Sequence, residues 1–369
     1  MRIPWAKLHL GPEELEEVIS TVKSGWLSQG PRVKALEERL ASYVGVTQTV
    51  AVNNGTSALD IALKVLEVQP GDEVIVPAST YIATANAVLY QHATPVFADI
   101  EMRTYNIDPN DVVRKITKKT KALIVIDYGG QSADYDQLTK IAADHKLAFI
   151  EDGAPGLGGS YRGRKLCSFG HMATTSFHIA KVFSSIEGGM IFTNSAEYAE
   201  KCRIIRSQGE DPKQKYVFPL LGHNYRMSDL HAAIGLAQTT AARMEMILGW
   251  RRKNAEYYSK CLEGVSGVVL PEVLPENTHA WFLYPILISL RDEVRAFMLE
   301  NGIETNVSWP RPVYAQKPYE TYKAPACPVA EDFTKRVLCL PMFYGLSEKE
   351  QDYIVDTLIK GLKRFQGGV

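Results

Sequence analysis

The chain has 369 residues, of which 46% are hydrophobic and 22% are charged, and its formal net charge at pH 7 is -1. A chain of this length and composition can bury a large core and is expected to form two domains. Its charges nearly cancel and no long basic run occurs, which argues against a dedicated nucleic-acid-binding surface. No apolar stretch is long enough to cross a bilayer, and residues 1–5 lack the pattern of a signal peptide. We therefore expect neither membrane insertion nor secretion.

Cysteine and histidine spacing restricts the chemistry further. The five cysteines contain no Cys-x-x-Cys pair, and they lie at Cys167, Cys202, Cys261, Cys327 and Cys339. This spacing argues against both a disulfide framework and a zinc site. His171 and His178 have no partners at metal-ligand spacing, so we expect no metal. The thiols are expected to be reduced, as in a cytoplasmic protein.

Four short apolar runs dominate the first half of the chain, at residues 74–77, 95–99, 122–127 and 147–152. They are apolar on both faces, as are the strands of a parallel sheet that helices cover on two sides. Helix-like segments separate them, and the sequence Pro-Gly-Asp breaks the first helix before the next strand. This order predicts a βαβ series with a mostly parallel sheet.

The pattern changes near Ser228. One long helix-like stretch continues from there towards Trp250, and an amphipathic helix is predicted over residues 354–362. We predict a large α/β domain over residues 1–240, which includes an N-terminal helical segment. A smaller C-terminal α+β domain is predicted over residues 241–369.

The first candidate binding residues follow a short strand at residues 50–52. Thr56 and Ser57 come directly after Gly55, at the start of a helix. Glycine lets the backbone approach an anion, and free amide groups and hydroxyls at a helix N-terminus can bind a phosphate. The alternative is that Thr56 or Ser57 only caps the helix, and this motif alone favours neither interpretation.

Two further candidates follow strands of the predicted sheet. Asp152 ends the run at residues 147–152, where its carboxylate could keep a pyridine nitrogen protonated. The alternative is a polar strand terminus or a helix cap. Tyr81 follows the run at residues 74–77 and could place its ring against a planar cofactor, although aromatic residues at such positions are more often core residues.

Lys181 lies in the most informative segment, residues 176–189, which begins with Ser-Phe-His-Ile-Ala-Lys and ends with Ser-Ser-Ile-Glu-Gly-Gly. An amine at a fixed point in a buried cleft can form a Schiff base with an aldehyde cofactor and can then move protons. The alternative for any single lysine is a solvated surface charge. The glycine-rich residues 153–159 lack the spacing of a dinucleotide fingerprint and of a P-loop, and we interpret them as a tight loop.

Together these segments resemble the DegT/DnrJ/EryC1/StrS family of sugar aminotransferases, which use pyridoxal phosphate (PLP), over nearly the whole chain. The matching segments, in this order, are residues 24–31, 70–77, 104–107, 151–152, 176–189 and 224–227. The resemblance implies fold type I of the PLP-dependent transferases, which is the aspartate aminotransferase-like fold. It has a large α/β/α domain with a mostly parallel sheet and a smaller C-terminal α+β domain.

The resemblance also implies a role for each candidate residue. Lys181 carries the internal aldimine, Asp152 pairs with the pyridine nitrogen, and Tyr81 stacks on the ring. The phosphate is bound by Thr56, Ser57 and Ser176, together with Asn224 of a neighbouring subunit. The family implies a homodimer with shared active sites and a ping-pong reaction. The amino group would pass from L-glutamate to a keto sugar carried by a nucleotide.

Two positions depart from the family pattern. Pro155 stands where relatives have a glutamine or histidine that reaches the ring hydroxyl of the cofactor, and proline has no side-chain donor or acceptor. Either another residue makes that contact, with Gln131 as a candidate, or the electronics of the bound cofactor differ. Tyr314 stands where a segment of the sugar pocket often has a histidine.

Two alternative functions remain open from the sequence, together with the role of one histidine. A PLP-dependent sugar dehydratase of the same fold is the nearest, but such relatives typically replace the lysine by histidine, and Lys181 is present. A non-catalytic sensor of PLP or sugar nucleotides is the more distant one. His178 could face the substrate or could be a packed structural residue.

Overall fold

The computed structural model describes residues 2–322 and 325–366. In chain order the helices and strands of these residues are α1 Pro12–Ser24, α2 Pro31–Val44, β1 Gln48–Val52, α3 Gly55–Val65, β2 Glu73–Pro77, α4 Ile82–Tyr90, β3 Thr94–Ala98, α5 Pro109–Lys115, β4 Thr120–Ile126, α6 Tyr135–Asp144, β5 Ala148–Asp152, β6 Ser160–Tyr161, β7 Arg164–Lys165, β8 Met172–Ser176, β9 Gly189–Thr193, α7 Ala196–Arg206, α8 Asp229–Gln238, α9 Ala241–Leu262, β10 Val268–Val269, β11 Asn277–Thr278, β12 Tyr284–Ile288, α10 Arg291–Glu300, α11 Pro328–Arg336, β13 Val337–Leu340 and α12 Glu348–Gln366.

The central sheet has seven strands in the order β1-β9-β8-β5-β4-β2-β3. The pairs from β8 to β3 are parallel, whereas β9 runs antiparallel to both of its neighbours. The four apolar runs predicted as strands are β2, β3, β4 and β5, so the predicted mostly parallel sheet is confirmed.

Both faces of this sheet are packed. Val74 and Val76 belong to one buried cluster, while Ile75 between them belongs to another. Successive side chains of a strand point to opposite faces, so each face carries its own apolar layer. This is why the strands are apolar throughout and do not alternate with polar residues.

The predicted long helix from Ser228 towards Trp250 is wrong, because two helices occupy this region. Helix α8 ends at Gln238, and α9 begins at Ala241 after the pair Thr239 and Thr240. The side chain of Thr240 accepts a hydrogen bond from the backbone N–H of Arg243 and so caps α9. Threonine favours such capping positions over the helix interior, which explains the break.

The C-terminal part contains a second, antiparallel sheet of three strands in the order β10-β12-β13. Its core includes Tyr284 and Leu340 from the strands and Leu358 from α12, which is the amphipathic helix predicted at the end of the chain. A third small sheet joins β11 to β6 and β7. It brings the segment that follows residue 270 onto the loops of the central sheet.

The strand directions decide where a ligand can lie. Strands β1, β2, β4, β5 and β8 are mutually parallel, so their carboxyl ends share one edge of the sheet. In open α/β sheets this edge is where ligands bind.

Candidate active site

The loop between β8 and β9 holds Lys181 at this edge. The backbone N–H of Phe177 donates to the carbonyl of Gly188 over 2.8 Å, and that of Ser185 donates to the carbonyl of Phe177 over 2.9 Å. Phe177 and Phe183 are buried and anchor the loop in the core. The lysine therefore lies on a compact loop that starts and ends in neighbouring strands.

The amine of Lys181 has a perturbed proton affinity. Burial lowers the pKa of Lys181 to about 8, and the charge of Asp152 acts in the opposite direction. The residue as a whole is half-buried. The Nζ atom lies 4.4 Å from the centroid of the Phe282 ring. An amine with a pKa near 8 can gain and lose a proton close to neutral pH.

Asp152 lies at the end of β5 and is buried. Its Oδ2 atom accepts a hydrogen bond from the hydroxyl of Thr84 over 2.7 Å, and its Oδ1 atom accepts one from the backbone N–H of Ala154 over 3.3 Å. Burial raises the pKa of Asp152, while Thr84 and then Lys181 act to lower it. A cationic ring nitrogen at this carboxylate would compensate for the burial.

The start of α3 meets the end of β8. A Cβ atom added at Gly55 would lie 3.0 Å from the Cβ atom of Ser176, so no side chain larger than hydrogen fits here without displacement. The sequence-predicted residues Thr56, Ser57 and Ser176 are thereby brought together. Amide groups of a helix N-terminus combined with hydroxyls form a suitable site for a phosphate.

The helix cap of α3 is provided by another residue. The side chain of Asn54 accepts a hydrogen bond from the backbone N–H of Ser57 over 2.8 Å. The alternative that Thr56 or Ser57 only caps the helix is therefore wrong. Their hydroxyls are not used for capping.

Tyr81 lies directly before α4 and is 58% exposed, so it is not a core residue. Its ring centroid lies 6.4 Å from that of Trp309, with the two planes tilted by 43°. The two aromatic side chains therefore lie next to each other at the carboxyl end of β2. An exposed ring in this place fits a stacking contact with a planar ligand.

Asn224 is exposed. Within the described part of the chain, its side chain makes no hydrogen bond to the other candidate residues. Its neighbours face inward: the Tyr225 hydroxyl donates to Oδ2 of Asp60 over 3.1 Å, and Nε2 of His223 lies 3.1 Å from Nζ of Lys64. Asp60 and Lys64 both belong to α3. Successive side chains of an extended segment alternate, so Asn224 faces away from α3.

The structure corrects the role suggested for Gln131. Its Nε2 atom donates to the carbonyl of Glu272 over 2.9 Å, and its Oε1 atom accepts from the backbone N–H of Leu274 over 2.9 Å. The side chain thus holds the segment before β11 and is not available for a cofactor hydroxyl. Pro155 is buried and offers no replacement.

The surroundings of His178 and Tyr314 are also defined. His178 is exposed, with Nε2 3.9 Å from Oε1 of Glu187, so it is not a packed structural residue. Tyr314 donates its hydroxyl to Oε1 of Glu331 over 2.7 Å, and its ring packs edge-on against Phe97. Its hydroxyl is therefore occupied at the start of α11.

Sequence reasoning missed several residues that surround these candidates. Thr84 lies one helical turn after Tyr81, and this spacing was the available signal. Glu151 is buried, and Oε2 accepts from the backbone N–H of Phe169 over 2.7 Å. Burial raises the pKa of Glu151 to about 7 and raises the pKa of neighbouring Asp127 well above its usual range. Phe282 had no local signal at all.

Two classes of feature are not found in the described ranges. Within residues 2–322 and 325–366 no group of three or more His, Cys, Asp or Glu side chains is arranged to hold a metal ion. Over the same ranges no helix has the length and apolar character needed to cross a membrane.

The profile of the DegT/DnrJ/EryC1/StrS aminotransferase family matches residues 9–359. The chain is 37% identical over 368 residues to GDP-perosamine synthase from Caulobacter vibrioides, with 97% of each chain covered. It is 33% identical over 348 residues to the dTDP-3-amino-3,6-dideoxy-alpha-D-galactopyranose transaminase of Aneurinibacillus thermoaerophilus, with 94% of each covered. The PMP form of Spr1654 from Streptococcus pneumoniae superposes with a TM-score of 0.95 at 28% identity, covering 100% of this chain and 99% of that one.

Proposed function

The chain belongs to the DegT/DnrJ/EryC1/StrS aminotransferase family, and from this premise we propose that it moves an amino group from L-glutamate to a nucleotide-linked keto sugar. The resemblance to GDP-perosamine synthase and to a dTDP-amino-sugar transaminase supports an acceptor that carries a nucleoside diphosphate. The reaction would serve amino-sugar biosynthesis.

One observation carries the proposal. The amine of the half-buried Lys181 lies close enough to the buried carboxylate of Asp152, at the ligand-binding edge of the sheet, for each charge to shift the pKa of the other group. A transaminase needs a neutral amine that can bond to an aldehyde and a carboxylate that can stabilise a protonated ring nitrogen. These two groups occur here together.

The cofactor is pyridoxal phosphate, and the residues present fit it. When bound, it supplies an aldehyde carbon for amine chemistry and a ring that takes up electron density. We assign Asp152 to the ring nitrogen and Tyr81 to the ring face. Thr56, Ser57 and Ser176 are assigned to the phosphate. The contact between Gly55 and Ser176 supports the phosphate assignment, because a Cβ atom would fill that space.

Lys181 has two roles in this proposal. Its Nζ atom holds the cofactor covalently in the resting enzyme, and it then moves a proton at the carbon next to the transferred amino group. Burial lowers the pKa of Lys181 to about 8, so a useful fraction of the amine is neutral near pH 7. The two substrates use the same site in turn, which is a ping-pong order.

We also propose a homodimer whose sites are shared and which works in the cytoplasm. The exposed Asn224, which faces away from its own α3, supports a contact with the phosphate site of a second copy. The free state of Cys167, Cys202, Cys261, Cys327 and Cys339 supports a reducing compartment.

Borohydride reduction followed by peptide mass mapping tests the central assignment. We expect the cofactor label on Lys181 alone, and a label on another side chain would overturn the assignment. Lys181→Ala should bind the cofactor without a covalent bond and should not turn over. Undiminished transamination by Lys181→Ala would equally contradict the proposal.

Absorbance spectra separate a transaminase from a sensor. In a transaminase, L-glutamate shifts the cofactor band and a keto acid restores it. A sensor would bind both without this interconversion. A panel of nucleotide-linked keto sugars, tested with L-glutamate, would then identify the acceptor.

A further inference from the structure

Residues 279–283 lie next to Lys181, and several hydrogen bonds hold this segment in place. The backbone N–H groups of Ala280 and Leu283 donate to the carbonyls of Gly130 and Gly129, over 2.8 Å and 3.0 Å. The close approach leaves no room at Gly130, where an added Cβ atom would lie 3.0 Å from the backbone nitrogen of Trp281. The segment is therefore fixed to the loop after β4.

Trp281 reverses the direction of the segment through a left-handed backbone, with φ at 51°. Such a conformation is rare for a bulky residue and persists only where the surroundings enforce it. Nδ1 of His279 accepts from the backbone N–H of Trp281 over 2.8 Å, and the two rings stack 3.9 Å apart. The turn directs the next side chain, Phe282, towards the lysine.

Arg251 on α9 completes the arrangement. Its Nη1 atom donates to the carbonyls of Trp281 and Phe282, over 2.8 Å and 3.4 Å. The side chain is 5% exposed, and its Nε atom has no hydrogen-bond partner in the described part of the chain. A buried guanidinium without a carboxylate is costly. Its described hydrogen bonds all go to the segment that carries Phe282.

The result of these contacts is that the Phe282 ring lies 4.4 Å from Nζ of Lys181. The amine is thus in cation–π contact with this ring. Among the residues that the structure describes, it makes no hydrogen bond within 3.5 Å and no ion pair within 4.0 Å. A ring face attracts an ammonium group but has no lone pair that would lock the amine in its protonated form. A carboxylate at the same distance would hold the amine as a cation.

We propose that Phe282 is the resting contact of the Lys181 amine whenever that amine is not bonded to the cofactor, and that Arg251 is a positioning residue that holds the ring there. The inference rests on the proposed role of Lys181 in cofactor binding. The ring keeps the released amine in place, so that the amine is ready both to take up a proton and to bond again.

The test measures the amine itself. The holoenzyme is loaded with pyridoxamine phosphate, which leaves the lysine amine free, and Lys181 is acylated with acetic anhydride over a pH series and quantified by peptide mass spectrometry. In Phe282→Leu we expect the labelling midpoint to fall by about 0.4 to 1.5 pH units, because the ring attraction of the ammonium group is lost. Phe282→Tyr keeps the ring and should keep the midpoint.

A matched control is available in α10. Phe297 is half-buried and has the guanidinium of Arg364 5.5 Å from its ring centroid. Phe297→Leu should leave the Lys181 midpoint unchanged. Arg251→Met should lower the midpoint in the same direction as Phe282→Leu, and the two changes combined should not add. An unchanged midpoint in Phe282→Leu, or an equal fall in Phe282→Tyr, would overturn the proposal.

The same labelling distinguishes this inference from the proposed function. If Lys181 binds the cofactor, loading with pyridoxal phosphate should protect it from acylation and loading with pyridoxamine phosphate should not. Equal labelling in both forms would overturn the cofactor assignment, while the midpoints of the Phe282 variants would still report on the contact with the ring.

Discussion

Thr84 donates its hydroxyl to Oδ2 of Asp152 over 2.7 Å, and this bond ties the first turns of α4 to the end of β5. The Thr84 hydroxyl lies 2.9 Å from that of Thr80, so the two hydroxyls and the carboxylate form a short hydrogen-bonded chain. Since Oδ1 receives the weaker bond from Ala154 over 3.3 Å, this is the oxygen that a ring nitrogen can approach more readily. Thr84 thus orients the carboxylate assigned to the cofactor.

Thr84→Val tests this orientation, because valine keeps the shape and removes the hydroxyl. Thr84 lowers the pKa of Asp152, so its loss should destabilise the carboxylate form. A hydrogen bond to a charged group contributes about 1.5 kcal/mol or more, so we expect the dissociation constant of the cofactor to rise about tenfold. Equilibrium dialysis measures it. Thr139→Val, which removes a hydroxyl bonded to a helix carbonyl in α6, is the control; equal affinities in both variants would contradict this role.

Gly55→Ala tests the contact between α3 and β8. The added Cβ atom would lie 3.0 Å from Cβ of Ser176, and crowding of this kind costs about 1 to 3 kcal/mol. We expect cofactor affinity to fall by roughly fivefold or more. The free energy of unfolding of the cofactor-free protein should fall by less than the crowding cost alone, because the better helix propensity of alanine offsets up to about 1 kcal/mol of it. Gly249→Ala in α9, where a Cβ atom meets only the end of Arg252 at 3.9 Å, should leave affinity unchanged.

The part of this site that the sequence could predict is the part encoded locally. Asp152 ends a predicted strand and the residues after Gly55 closely follow another, so the βαβ pattern alone places them on one edge, whereas Lys181 is identified by the family resemblance of residues 176–189. The contact of Phe282 with Lys181 joins residues about a hundred positions apart and leaves no pattern in either segment. The prediction for Gln131 is wrong for the same reason, since its partners Glu272 and Leu274 are even more distant from it in sequence.

The boundaries of the C-terminal elements were harder to predict than those of the central sheet. The apolar pattern of α8 continues into α9, and only the hydroxyl cap of Thr240 separates the two helices. The division of the chain into domains at residues 1–240 and 241–369 stays a prediction, as do the roles given to Tyr81 and Asn224.

His279 should make stability fall in mild acid. Burial lowers the pKa of His279 to about 3, whereas an unfolded histidine titrates near 6.5. The unfolded chain therefore binds an extra proton below about pH 6.5. The contribution of neutral His279 to the free energy of unfolding is fully present above that pH and is lost as the pH falls towards 3. The expected slope is about 1.4 kcal/mol per pH unit. Urea unfolding at pH 7.5 and 5.5 measures it.

The variant His279→Gln should remove this part of the pH dependence. The difference in unfolding free energy between pH 7.5 and 5.5 should shrink by about 1.4 kcal/mol, whatever the variant loses at pH 7.5. His145→Gln changes an exposed histidine after α6 and should leave the difference as in the wild type. Parallel pH profiles for wild type and His279→Gln would show that His279 is not kept neutral by the fold.

Asn224→Ala tests the shared site. Alone, it should weaken cofactor retention, because the phosphate loses a ligand from the second copy. Mixed with Lys181→Ala, it should regain about a quarter of the wild-type activity, since about half of the dimers are mixed and each mixed dimer has one complete site. Native mass spectrometry establishes that mixed dimers form. Mixed dimers without activity would place Asn224 outside the partner's site.

Ile186 indicates strain in the loop that carries Lys181. It has φ at 71°, in the left-handed region that a β-branched residue rarely adopts, and its backbone N–H is held by Oγ of Ser184 over 2.9 Å. A Cβ atom costs about 1 to 2 kcal/mol in this conformation, and glycine avoids the cost. We therefore expect Ile186→Gly to be more stable than Ile186→Ala by about 1 kcal/mol, although both lose the same apolar contacts.

The test is which of the two variants at position 186, Ile186→Gly or Ile186→Ala, is the more stable. At Val113, an exposed position inside α5, alanine should instead be more stable than glycine by about 1 kcal/mol, because the helix favours it. Urea unfolding of the four variants gives both differences. Strain that persists five residues after the lysine must be enforced by the bonds that close the loop, from Phe177 to Gly188 and from Ser185 to Phe177. If alanine and glycine were equally stable at position 186, the loop would carry no such strain, and the fixed position of Lys181 would depend on its anchors in the core alone.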